Sequence, residues 1–92
     1  MSRVRFNMKL SVTFIKEGKQ FVAYSPALDL STCGKTLFDA RRRFVEAAAL
    51  FFEELNRRGT TREILRGLGW VNKSGGLISP KIVGQETLPV PA

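Results

Sequence analysis

From Arg3 to Ile15 the chain alternates strictly. Val4, Phe6, Met8, Leu10, Val12 and Phe14 are apolar, and Arg3, Arg5, Asn7, Lys9, Ser11 and Thr13 between them are polar or basic. A period of two sustained this long suits a β-strand with one apolar and one wet face, and it does not suit a helix. At about 3.3 Å per residue the run would extend about 43 Å, beyond the usual strand of up to about 10 residues. Either the strand bends, or its first residues reach onto another subunit. Met8 as an alternative translational start would make residues 1–7 an optional arm.

Such a strand needs neighbours and a cover. Glu17, Gly18 and Lys19 form a tight connection, with Gly18 free to take positive φ, and Phe21-Val22-Ala23-Tyr24 within Gln20–Ser25 reads as the return strand. Pro26 stops it, because proline donates no ladder hydrogen bond. Leu30–Cys33 fits a short third strand before Gly34. Thr36 then opens the dominant element, a long helix, with Asp39 three positions on completing a capping-box-like pattern. Leu37, Ala40, Phe44, Ala47, Ala48, Phe51 and Leu55 recur at helical spacing and make the face expected to pack on the sheet. Arg57 and Arg58 suit the last turn, and Gly59 the helix end.

Thr60 with Glu63 predicts a second capping box and a short helix through Ile64, Leu65 and Leu68, finished by Gly67 and Gly69. Residues 72–76 read as a polar, glycine-rich turn, and Ile82–Leu88 as an edge strand in a tail broken by Pro80, Pro89 and Pro91. The expected fold is therefore α+β in the order β-β-β-α-α-β: a three-stranded antiparallel sheet under one long helix, then a short helix and an edge strand. All 92 residues make one domain, its core at about residues 3–71, with 72–92 as loop and apolar tail. A domain this small buries only about 60–65% of its unfolded surface, so self-association is a natural supplement.

Composition narrows the chemistry. The chain has no histidine and one cysteine, Cys33, so it can form no internal disulfide and no cysteine cluster for zinc. Asp39 and Glu46 share a helical face but lie two turns apart, about 10 Å, too far to share a metal. No glycine-rich loop links a strand to a helix in the manner of a phosphate cradle. These residues predict no catalytic site, no metal and no cofactor. No apolar run reaches the roughly 18 residues of a membrane span, and the start of the chain lacks a signal-peptide apolar block, so the expected address is cytoplasmic.

Two surface features remain. The net charge is +7, and residues 1–43 carry nine basic residues against three acidic. Arg3 and Arg5 project from one face of the first strand, and Arg41, Arg42 and Arg43 form the densest run. On a helix those three spread over about 200° of arc. They fit either a solvated face with local ion pairs or contacts to phosphate or to an acidic partner. The helix also bears a second apolar stripe, Phe38, Val45, Ala49 and Phe52. One helix on one small sheet cannot bury both of its stripes. Either the short helix and tail fold over the second, with Trp70 as plug or lid, or Phe38, Val45 and Phe52 form a partner or oligomer interface.

The runs Phe21-Val22-Ala23-Tyr24-Ser25-Pro26-Ala27-Leu28 and Gly34-Lys35-Thr36-Leu37-Phe38-Asp39-Ala40, with the later Glu46-Ala47 pair, resemble the HicB-like antitoxin family. Gly59-Thr60-Thr61, Ile64-Leu65 and Leu68-Gly69-Trp70 are similar to a C-terminal helix common in that family, so the likeness covers about residues 8 to 71. The resemblance implies a degenerate RNase H-like fold without nuclease residues. It also implies an antitoxin that occludes a HicA-type mRNA-cleaving toxin. Many members add a DNA-binding module, for which the proline-broken tail leaves no room. Family helices are usually acidic where this one carries Arg41, Arg42 and Arg43, and the toxins are generally basic, so docking here would have to rest on apolar or locally acidic contact. The alternative is a small basic nucleic-acid-binding or oligomeric regulatory protein without a toxin.

Overall fold

A computed structural model describes residues 8–92 of the chain. Arg3, Arg5 and the start of the alternating run lie outside the described residues. The element order is β1 (Thr13–Glu17), β2 (Gln20–Ser25), β3 (Leu30–Gly34), α1 (Leu37–Arg58), α2 (Thr61–Gly67), β4 (Val71–Lys73) and β5 (Gly76–Ile78). The first three strands form an antiparallel sheet in the order β1-β2-β3, and β4 and β5 make a separate two-stranded sheet. Among the described residues no helix is long and apolar enough to cross a membrane.

The long first strand is shorter and later than the alternation predicts. Its ladder runs from Thr13, opposite Tyr24, to Glu17, opposite Gln20. β2 itself ends at Ser25, because Pro26 follows, so Met8–Val12 have no strand to pair with. The connection is a tight turn with Gly18 at φ 59°.

Register places Phe14 and Ala23 beside Thr32, and Phe21 beside Gly34, on the sheet face that meets α1. The Thr32 hydroxyl donates to the Ala40 carbonyl at 3.0 Å. At Gly34 the strand and helix come so close that a Cβ would sit 2.7 Å from the Ala40 nitrogen. That contact requires glycine.

α1 begins as expected, with the Thr36 hydroxyl accepting from the Asp39 amide at 3.0 Å. It ends on Gly59 at φ 70°, with Gly59 N–H donating to Asn56 and Thr60 N–H to Leu55, the paired bonds of a Schellman motif. The Thr60 amide is taken up there and the Thr60 side chain makes no cap, so the second capping box does not form. The Thr61 hydroxyl bonds Asn56 instead.

Ala40, Phe44, Ala48 and Leu55 are buried with Ala23, Ala27, Leu28, Leu65 and Trp70 as one core. Phe51 is half-buried, and Leu37, expected on the packed face, remains 46% exposed in the first helical turn.

The C-terminal region departs furthest from expectation. Ser74 (φ 51°) and Gly75 (φ 81°) form a positive-φ turn that folds residues 71–78 into a hairpin. No edge strand forms at Ile82–Leu88: residues 79–92 have no regular structure. Pro80 and Pro89 supply no ladder donors, and Gly84-Gln85-Glu86-Thr87 breaks the apolar alternation that would hold a strand to the sheet.

A candidate docking groove

α1 packs on β3 and β2, leaving the inner face of β1 and of the segment leading into it without a helix above. The result is an open apolar groove of about 380 Å³. Met8, Leu10 and Val12 form one wall, and Val45, Ala49 and Phe52 the other. Phe44 and Ala48 line its base, where the groove meets the core. Toward the start of α1 it continues past Phe14 and Arg41.

The apolar alternation and the second helical stripe thus meet across one cleft. Leu10, Val12 and Phe14 keep a common side along the strand, while Val45, Ala49 and Phe52 keep a common side along the helix.

The three proposed interface residues fare differently. Phe38 is 66% exposed and Val45 62% exposed, whereas Phe52 is half-buried. Phe52 lies edge-on to Trp70, with ring centroids 6.2 Å apart, so the turn after α2 does cover that end of the stripe. Coverage stops there. Leu50, which the stripe does not include, is also 65% exposed.

The three arginines do not converge. Arg41 lies over the Phe14 ring, 5.8 Å from its centroid, at the groove margin. Arg42 sits between Asp39 (3.9 Å) and Glu46 (3.2 Å) in a surface ion-pair ladder. Arg43 donates to the Cys33 carbonyl on β3 at 3.3 Å. Each already has a local partner, which disperses the charge over the surface.

Cys33 is exposed, and among the described residues no group of His, Cys, Asp or Glu side chains is arranged to hold a metal. No described buried side-chain polar atom lacks a hydrogen-bond partner. Tyr24 donates to Asp29 at 3.0 Å, and holding that bond to a carboxylate raises its phenol pKa above the ordinary value. This pair lies at the end of the hairpin, where Asp29 takes φ 49°.

No family model, curated protein or solved structure matches this chain.

Proposed function

We propose that this chain is a protein-binding module of the antitoxin type, which neutralises a HicA-type mRNA-cleaving toxin in the cytoplasm by covering it in a stoichiometric complex. The observation that carries this reading is the uncovered apolar wall along α1, from Phe38 through Val45 toward Phe52. A chain with a satisfied core and an exposed phenylalanine and valine on one helix side presents a surface suited to docking. The resemblance implies a β-β-β-α-β order; its β-β-β-α part is present here, while β4 pairs only with β5 in a separate sheet.

Apolar docking also suits the charge. A basic antitoxin and a basic toxin repel at long range, so their contact needs a local surface free of cations. Arg42 and Arg43 are engaged away from the groove and Arg41 lies at its margin over Phe14, so the cation-free surface is the stretch lined by Val45, Ala49 and Phe52. The dispersal of Arg41, Arg42 and Arg43 favours this reading over a phosphate-binding patch.

The test is co-expression with a HicA-type toxin. Restored growth and a co-purifying complex are expected. Growth arrest that persists at equal expression would sink the proposal.

A further inference from the structure

We propose that α2 and the β4–β5 hairpin form a second interaction surface, which docks on the phosphate backbone of double-stranded nucleic acid without reading its sequence. This inference does not rest on the antitoxin reading, because none of the residues involved lines the docking groove.

The first argument is charge. From Thr61 to Lys81 the chain carries Arg62, Arg66, Lys73 and Lys81 against one acid, Glu63, a net of +3. All four cations are exposed. Among the described residues the ion pairs lie on α1, where Arg42 meets Asp39 and Glu46, and Arg57 and Arg58 meet Glu54. None reaches Arg62, Arg66, Lys73 or Lys81. The contrast with Arg41, Arg42 and Arg43 is direct, since each of those has a partner on its own chain.

The fold gathers these residues around the end of α2. Arg62 and Arg66 are four positions apart on the helix, so they are neighbours on one flank, turned about 40° from each other. The Gly69 amide donates to the Arg66 carbonyl at 3.0 Å, and a Cβ on Gly69 would lie 3.4 Å from the Pro80 ring. The chain therefore passes Lys81 beside the turn that bears Arg66.

Between Gly69 and Pro80 the hairpin projects, with Lys73 opposite Gly76 at its tip. Residues 71–76 are all exposed, and a Cβ on Gly75 or Gly76 would meet nothing within 4 Å. Asn72, Lys73 and Ser74 thus offer an amide, a cation and a hydroxyl beside two glycines that let another backbone approach closely. These are the groups that bond phosphate and sugar oxygens in protein–nucleic acid contacts.

A membrane surface fits less well. Binding to anionic lipid wants an apolar face with aromatic anchors beside the cations. The exposed Ile64 is turned about 160° from Arg66 around α2, and Val71 with Ile78 is a single exposed pair on the hairpin. Trp70, the aromatic residue of this segment, is buried. Its burial also leaves no ring here on which unpaired bases could stack, which favours a duplex over a single strand.

Fluorescence anisotropy of the full chain with a labelled DNA duplex and an RNA duplex of the same sequence tests this across a salt series. Binding to one or both is expected, and the tighter of the two identifies the source of the phosphate backbone. On DNA the logarithm of the affinity should fall with that of salt by about 0.9 per neutralised phosphate. Arg62→Gln/Arg66→Gln/Lys73→Gln should weaken binding by about tenfold or more and flatten that slope by about 2.7. Lys9→Gln/Lys19→Gln/Lys35→Gln removes the same charge from exposed sites elsewhere and should keep the slope and nearly all of the affinity. Arg62→Lys/Arg66→Lys, which preserves the charge, should bind like the native chain. Thermal melting should show every variant folded, because none of these side chains is buried or ion-paired. No binding to either duplex, equal losses in the two triple variants, or binding confined to phosphatidylglycerol vesicles would overturn the proposal. None of these readouts involves a toxin, so failure here and failure of toxin neutralisation can be told apart.

Discussion

The indole Nε1 of Trp70 donates a 2.7 Å hydrogen bond to the carbonyl oxygen of Ala27, joining the turn after α2 to the loop between β2 and β3. Both residues are buried, and the same indole meets the edge of Phe52. One side chain therefore closes the core and ends the uncovered part of the α1 stripe.

Replacing Trp70 with Phe keeps an aromatic ring but removes the donor, leaving the Ala27 carbonyl buried without its partner. The expected loss is about 1–3 kcal/mol for the orphaned group, before any packing change. Urea denaturation would show it as a lower midpoint at unchanged slope. An unaltered midpoint would mean that the hydrogen bond contributes nothing.

Thr36 and Thr60 look alike in sequence, each followed three residues later by an acid, yet only Thr36 caps its helix. Thr36→Ala should cost about 1 kcal/mol. Thr60→Ala should cost much less, since no cap bond is lost. Chemical denaturation of both variants under one set of conditions compares them directly, and equal losses would contradict the assigned hydrogen bonds.

Tyr24 is the single tyrosine of the chain, so its titration can be followed by absorbance without assignment. The Asp29 carboxylate holds the phenol proton, with the hydrogen bond as the largest cause. The folded-state pKa lies above the unfolded one, so stability from this pair is fully present below about pH 10. It is lost as pH rises through the raised folded value. Asp29→Asn preserves a residue tolerant of positive φ and removes the charge, and should return the titration toward about 10. A titration midpoint unmoved by Asp29→Asn would contradict the pairing.

Much of the layout was legible locally. Gly18 and Gly59 occupy the positive-φ turn and helix end that their neighbours require, and Thr36 caps α1 through a contact three residues away. The alternation through Leu10, Val12 and Phe14 correctly separates the groove side of the strand from the other. Its pairing was not legible, because Thr13 starts the ladder only where β2 has a residue left to offer.

The β4–β5 hairpin leaves little trace in the sequence, because three-residue strands are too short to display a period. Ser74-Gly75 was its one signal. The edge strand expected at Ile82–Leu88 fails for the converse reason: local apolar content suggested a ladder that prolines and a polar interruption prevent. The groove was half visible, as a stripe on α1. How far it stays open depends on Trp70 meeting Phe52 and Ala27, contacts that no local pattern encodes.

The central claim is that the groove side of α1 docks a partner and its far side does not. Val45 and Leu50 are matched probes, 62% and 65% exposed, five residues apart and turned about 140° from each other around the helix. Calorimetric titration of Val45→Asp and Leu50→Asp with a catalytically inactive HicA-type toxin, the proposed partner, measures the difference. The account predicts binding weakened at least tenfold by Val45→Asp and little changed by Leu50→Asp, with both variants folded. Equal affinity in the two, or a loss confined to Leu50→Asp, would contradict it.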